Sequence, residues 1–275
     1  GIKSEAEVRR LEGRKAEKQK LIELKNGSTT ELSTQSVSMQ QSVRRTPSST
    51  AGTVAALFPN AQFFAQFSDY SGNGHPMSIA FDGTYYWVVG GGGGSGDVAQ
   101  LNKDFSLVTT KNVNLDCRSI SYNRGDGKVY IKGFTSNSLY RLHTAPFDGT
   151  FDLVLDNVFQ SPQTKVVITE DGQFLYDQLA GNVRKYRFSD GAVVKTFSLA
   201  LQHTLDWPRE NLLALSGSYL LTVAGGTVYA YYTTSGAFLS SSSLPDSQWY
   251  EWSMSYSSGL FFIPNTAEDT WFAYR

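Results

Sequence analysis

From residue 98 to the C-terminus, a four-residue run returns at a near-constant interval. Its five copies are Val98-Ala-Gln-Leu101, Leu139-Tyr-Arg-Leu142, Val183-Arg-Lys-Tyr186, Val228-Tyr-Ala-Tyr231 and Trp271-Phe-Ala-Tyr274. Their starts lie 41, 44, 45 and 43 residues apart. Units this short cannot bury an apolar face alone and must pack on their neighbours. A period of about 40–45 residues with four strands per unit is the mark of a propeller blade. Around these runs, stretches rich in Val, Tyr, Phe and Leu alternate with Gly, Asp and Asn turns, with no 3.6-residue period, which is an all-β signal.

Each unit divides into four strands. The spacing predicts innermost strands at Ser78–Phe81, Ser119–Tyr122, Val166–Thr169, Thr204–Trp207 and Trp252–Ser255. Turns follow at Asp82-Gly83, Gly125-Asp-Gly127, Asp171-Gly172, Glu210-Asn211 and Ser258-Gly259. Second strands are expected at Tyr85–Val89, Val129–Ile131, Phe174–Tyr176, Tyr219–Val223 and Leu260–Ile263, and outer strands at Phe105–Thr109, Phe151–Leu155, Val193–Phe197 and Ala237–Ser240. The last unit stops after its third strand, and Gln62–Phe67 has the composition to supply the fourth. The expected fold is therefore all-β: a five-bladed β-propeller over 57–275, closed by an N-terminal strand that removes an open edge. An irregular β-sandwich is the alternative.

The glycine run in Tyr85-Tyr-Trp-Val-Val-Gly-Gly-Gly-Gly-Gly-Ser-Gly-Asp-Val-Ala-Gln-Leu101 falls between a second and a third strand. A phosphate cradle needs a helix N-terminus after its glycines, and here a β-like run follows. A hairpin needing positive φ is the reading that fits. The unit from His75 to Val108 carries a Pro before the inner strand, an Asp-Gly turn, an aromatic second strand and a third strand ending in Asn-Lys-Asp. It resembles the NHL/YVTN-like class of propeller repeats; the other units resemble it loosely. The resemblance implies a fold and a bias toward binding roles, not a reaction, and five blades depart from the usual six.

The N-terminal part differs in charge and texture. Residues 1–50 hold ten Lys/Arg against six Glu, whereas the remainder holds fourteen against nineteen Asp/Glu. Residues 1–27 read as a basic helix, with a Ser4-Glu5-Ala6-Glu7 capping box and an Asn26-Gly27 stop. Val8, Leu11 and Ile22 fall on an a/d seam whose other positions are Lys15, Lys18 and Lys25, too poor for an autonomous coiled coil. The helix reads as solvated, or as one that docks on a protein partner or forms a homo-oligomer. Residues 28–56, rich in Ser, Thr and Gln, read as a linker or strap that cannot offset its ordering entropy by burial. The acidic body argues against a nucleic-acid groove, and no run reaches the roughly 20 apolar residues of a membrane span.

In a propeller, the loops leading into the inner strands share one face with the hairpins between second and third strands. Here those loops carry the candidate ligand-binding residues Tyr70, His75, Arg118, Lys165, His203, Asp206, Trp249, Tyr250 and Glu251, with Asp69, Asp116 and Gln163 beside them. Aromatics and charges around one funnel suit a glycan or a peptide. A glycoside hydrolase needs two converging carboxylates. Asp206 and Glu251 are the alternative catalytic pair, set against a structural role at blade edges. His75 and His203 with Asp206 could form a metal site, but the leading expectation is no metal and no cofactor. Arg124-Gly125-Asp126 fits ordinary turn chemistry. The lone Cys117 excludes an intrachain disulfide and reads as packing. The leading expectation is a non-enzymatic recognition head on a tether, extracellular or on a cell surface or virion. A carbohydrate-active enzyme is the second, and a scaffold that only packs against neighbours the third.

Overall fold

The computed structural model describes residues 61–72, 74–94, 96–205, 211–245, 253–265 and 269–275. The arm and strap expected over 1–56 lie outside them, as do Asp206, Trp249, Tyr250 and Glu251. The described chain forms five four-stranded antiparallel sheets, a five-bladed β-propeller. Blade 1 is β2 (His75–Phe81), β3 (Tyr86–Gly91), β4 (Gly96–Leu101) and β5 (Leu107–Leu115). Blade 2 is β6 (Cys117–Asn123), β7 (Lys128–Gly133), β8 (Leu139–Leu142) and β9 (Phe151–Leu155). Blade 3 is β10 (Val167–Ile168), β11 (Phe174–Leu179), β12 (Asn182–Arg187) and β13 (Val193–Ser198). Blade 4 is β14 (Ala214–Ser216), β15 (Tyr219–Ala224), β16 (Thr227–Tyr232) and β17 (Phe238–Ser243). Blade 5 takes β18 (Ser255–Ser257), β19 (Leu260–Asn265) and β20 (Thr270–Tyr274) from the C-terminal end, and β1 (Phe63–Ser68) as its outer strand. β1 pairs antiparallel with β20, Phe63 opposite Tyr274 and Ser68 opposite Thr270.

All five repeated runs are third strands, and each pairs with the second strand before it. The innermost strand of blade 4 is not Thr204–Trp207. It is Ala214–Ser216, which turns at Gly217 and Ser218 onto β15. Thr204 and Leu205 belong instead to the long connection from blade 3. An aromatic in Leu-Asp-Trp-Pro outweighed a three-residue strand with little side-chain bulk. The inner strand of blade 5 likewise begins later, at Ser255.

The core is distributed between blades, as it must be when each sheet is too small to bury both its faces. One cluster joins blades 1 and 2 through Trp87, Val98, Ile120 and Ile131. Another joins blades 5 and 1 through Tyr86, Phe105, Phe262 and Trp271. There Phe67 of β1 stacks flat on Phe105, centroids 4.3 Å apart. Serine hydroxyls stitch the inner strands directly: Ser78 Oγ donates to Ile120 O at 3.2 Å and Ser121 Oγ to Val166 O at 3.0 Å. Ser255 and Ser257 accept from Ile79 N and Phe81 N, each at 2.9 Å.

The glycine run is a hairpin, but its first glycines serve packing. Gly90 and Gly91 end β3, and only the middle of the run bends, with φ +83° at Gly92 and +97° at Gly94. A Cβ on Gly91 would overlap the Cys117 carbonyl oxygen and lie 2.8 Å from Asp116 Oδ1. One on Gly94 would meet nothing within 4 Å. Gly91→Ala is therefore expected to destabilise the protein by more than about 3 kcal/mol, because backbone must move. Gly94→Ala is expected to cost only the left-handed strain, about 1–2 kcal/mol. Denaturant unfolding of the two variants checks the ranking.

Candidate functional site

The two ends of the ring differ in chemistry. At the end where loops enter the inner strands, the charged side chains are held by one another. The buried Arg118 guanidinium pairs with Asp116, donates from Nε to Gln163 Oε1 at 2.7 Å and lies 4.6 Å from the Phe134 ring centre. Asp116 Oδ1 also accepts from Gly92 N at 2.7 Å, which ties the glycine hairpin to blade 2. Lys132 Nζ, on β7, donates to Ser161 O at 3.1 Å and Pro162 O at 2.8 Å. Burial pushes its ammonium down to about 7, against the pull of the Asp177 charge. Asp177 in turn accepts from Gln160 N and Nε2 at 2.8 and 2.7 Å and from Tyr186 OH at 2.9 Å. Burial raises the Asp177 carboxyl above its ordinary range.

The sequence candidates scatter around this end. Tyr70 packs into the cluster between blades 5 and 1. Asp69 beside it accepts from Ser71 Oγ at 2.7–2.8 Å and from Trp271 Nε1 at 3.2 Å. His75 opens β2 in blade 1. His203 precedes blade 4, its Nε2 3.1 Å from Thr222 Oγ1 and its ring 4.4 Å from that of Tyr229. His143 bonds Asp152 and Thr150 on blade 2. Among the described residues no three His, Cys, Asp or Glu side chains are grouped to hold a metal ion. Cys117 is buried, and its thiol is pushed up to about 12 by burial.

Lys165 is different. It precedes β10 in blade 3, yet its Nζ crosses the axis to blade 5, where it donates to Met254 O and to Ser255 Oγ, the latter at 2.7 Å. It lines a cavity of about 290 Å³ that runs along the ring axis. Residues of all five inner strands line the walls, with hydroxyls from Ser121, Ser216, Ser255 and Ser257. The cavity reaches Arg124, Glu170 and Ser258, all in turns between first and second strands, so its mouth is at the opposite end of the ring from the candidate loops. Tyr122, Tyr256 and Phe81 stand with them in the lining. Of the five candidate ligand residues that the structure describes, Tyr70, His75, Arg118, Lys165 and His203, Lys165 alone lines this cavity. Tyr122, Arg124, Glu170, Ser216 and Tyr256 are the lining residues that the loop-based reading missed. Their signal was the inner-strand pattern itself, a small residue between bulkier ones: Ala80 between Ile79 and Phe81, and Ser121 between Ile120 and Tyr122. The Arg124-Gly125-Asp126 turn is held by its own bonds, Asp126 accepting from Tyr130 OH at 2.5 Å and Lys128 N at 2.9 Å.

No family model and no curated protein matches this sequence. Among solved structures it is similar to a glutaminyl cyclase of Myxococcus xanthus, with 12% identity and a TM-score of 0.58, over 78% of this chain and 95% of that one. It also aligns with the hydrazine synthase of Kuenenia stuttgartiensis at 16% identity and a TM-score of 0.43, over 72% of this chain and 58% of that one. The first likeness is one of fold, the five-bladed ring.

Burial raises the Asp69 carboxyl to about 6, against hydrogen bonds from Ser71 and Trp271. The folded state therefore keeps a proton that the unfolded state releases near 4, and this group's contribution to stability is lost as pH rises from about 4 to about 6. Asp69→Asn is expected to remove that slope, so the variant gains on wild type between pH 4.5 and pH 6.5. Urea melts at the two pH values measure the gain.

Proposed function

We propose that this chain is a non-enzymatic recognition module. Its propeller head takes the end of a glycan, or a short peptide, in the axial cavity. Residues 1–56 tether it to a protein partner or to copies of itself, in a surface or virion appendage or an exported binding protein. In this reading β1, paired with β20, closes the ring and ties the tether to the last blade.

One observation carries the recognition reading: an axial cavity with serine-lined walls, Lys165 in its lining and aromatic side chains beside the turns. Its volume of about 290 Å³ sits at the bottom of the roughly 300–1,000 Å³ range of small-molecule sites, the scale of a single sugar ring or one terminal residue. Hydroxyls on walls and ligand exchange donors and acceptors with little directional penalty, and aromatic faces suit the apolar face of a sugar. At the loop end, by contrast, Arg118, Lys132 and Asp177 are spent holding blades and loops together, which supports a structural role there. A five-bladed ring also carries the glutaminyl cyclase, but a shared ring hosts unrelated chemistries, so the site and not the fold must carry the function.

Binding of the intact chain to a glycan and peptide array is the test. A bound glycan or peptide should lose roughly three- to tenfold in affinity with Tyr122→Ala or Tyr256→Ala, the scale of one aromatic contact. Hydrolysis of a bound glycan that disappears in Asp206→Ala and Glu251→Ala would overturn the non-enzymatic reading.

A further inference from the structure

Three cations are buried among the described residues: Arg118, Lys132 and Lys165. Arg118 is paired with Asp116, and Lys132, bonded to two carbonyls, feels the charge of Asp177 without touching it. Lys165 has no counter-charge there; its protein partners are a carbonyl and a hydroxyl, both neutral. A buried charge is normally paired, because desolvation without a partner is costly. An ammonium has three donors, and protein acceptors take two of them. The same residue lines a cavity that opens at the turn end of the ring.

Resting on the axial recognition reading, we infer that this cavity selects a ligand bearing a carboxylate, of the class of an acidic sugar, whose charge lies against Lys165. The sugar hydroxyls then meet the wall serines, and the carboxylate supplies the counter-ion that the described residues do not. The facing groups leave Lys165 as the source of selectivity. Arg124 and Glu170 are of opposite sign and both exposed at the mouth, so they nearly cancel. Tyr122 and Tyr256 bring phenol rings to the lining. β2, β6, β14 and β18 present Ile79, Ala80, Ser121, Leu215, Ser216 and Ser255 to the shaft, none of them ionisable.

Burial pushes the Lys165 ammonium down to about 7, so near neutrality it is poised between charged and neutral forms. An anion binds only the charged form, and binding takes up a proton above pH 7. A uronic acid is fully ionised from pH 6 to 9, so any change in its affinity over that range reports the protein.

The test is isothermal titration of the full chain with D-glucuronate, D-glucose, sodium acetate and inorganic phosphate, from pH 6 to 9. Glucuronate should bind at least tenfold more tightly than glucose at pH 6. Its affinity should fall about tenfold per pH unit above 7, while any glucose affinity stays flat. Lys165→Met, which removes a buried charge without leaving a hole, should abolish both the preference and the slope. Lys165→Gln is the second variant, and the wild-type pH profile stands if neither variant folds. Acetate or phosphate binding as tightly as glucuronate would mean a simple anion site and would overturn the acidic-sugar assignment. Equal affinity for glucose and glucuronate, or a flat pH profile, would overturn it and leave axial recognition standing. If neither sugar binds and Tyr122→Ala and Tyr256→Ala match wild type on the array, both readings fall.

Discussion

The side chain of Lys165 reaches from blade 3 across the ring axis to blade 5, and the character of the central shaft depends on that reach. A ring of five inner strands encloses a shaft. Here one ammonium that lines it bonds Met254 O and Ser255 Oγ. Ser255 is shared, since it also accepts from Ile79 N of blade 1. One contact point thus couples blades 1, 3 and 5. The remaining stitches, from Ser78, Ser121 and Ser257, join neighbouring inner strands only. A hydrophobic side chain would line the shaft with less desolvation cost, so a charge in that place is informative.

The two ends of the ring divide the work. At the loop end, Arg118 pairs with Asp116 while Lys132 and Asp177 bond neutral loop and strand groups, contacts that fix loop geometry more than they add stability. The glycine hairpin belongs to this framework: Gly91 has no room for a side chain because the Cys117 carbonyl occupies it, and Gly92 N bonds Asp116. At the turn end, short Asp- and Gly-containing turns leave the shaft accessible, and hydroxyls meet whatever enters.

The blades were legible in the sequence because each third strand pairs on both sides and buries the residues at both ends of its repeated run. Val98, Leu139, Val183, Val228 and Trp271 are all buried. Blade 4 was less legible, since Ala214-Leu-Ser216 is too short and too small to announce itself beside Thr204-Leu-Asp-Trp207. The axial cavity was not legible from loop position, for a physical reason. Loop position shows which residues lie near an end of the ring, but not whether a side chain is bound to its neighbours or turned into the shaft. Arg118 and Lys165 are both basic residues beside inner strands. Only packing separates the one paired with Asp116 from the one that crosses the axis. The small residues between bulkier ones on the inner strands did encode the shaft lining, as strand pattern and not as a motif.

The central claim is that Lys165 is a buried ammonium with no carboxylate against it among the described residues. The most direct measurement is a pH titration of its side chain by NMR in protein carrying 13C-labelled lysine, with the resonance assigned by its absence in Lys165→Arg. The account predicts a midpoint near 7, set by burial. A midpoint near the ordinary lysine value of about 10.4 would contradict it, because only a counter-charge or full hydration could hold the proton that long.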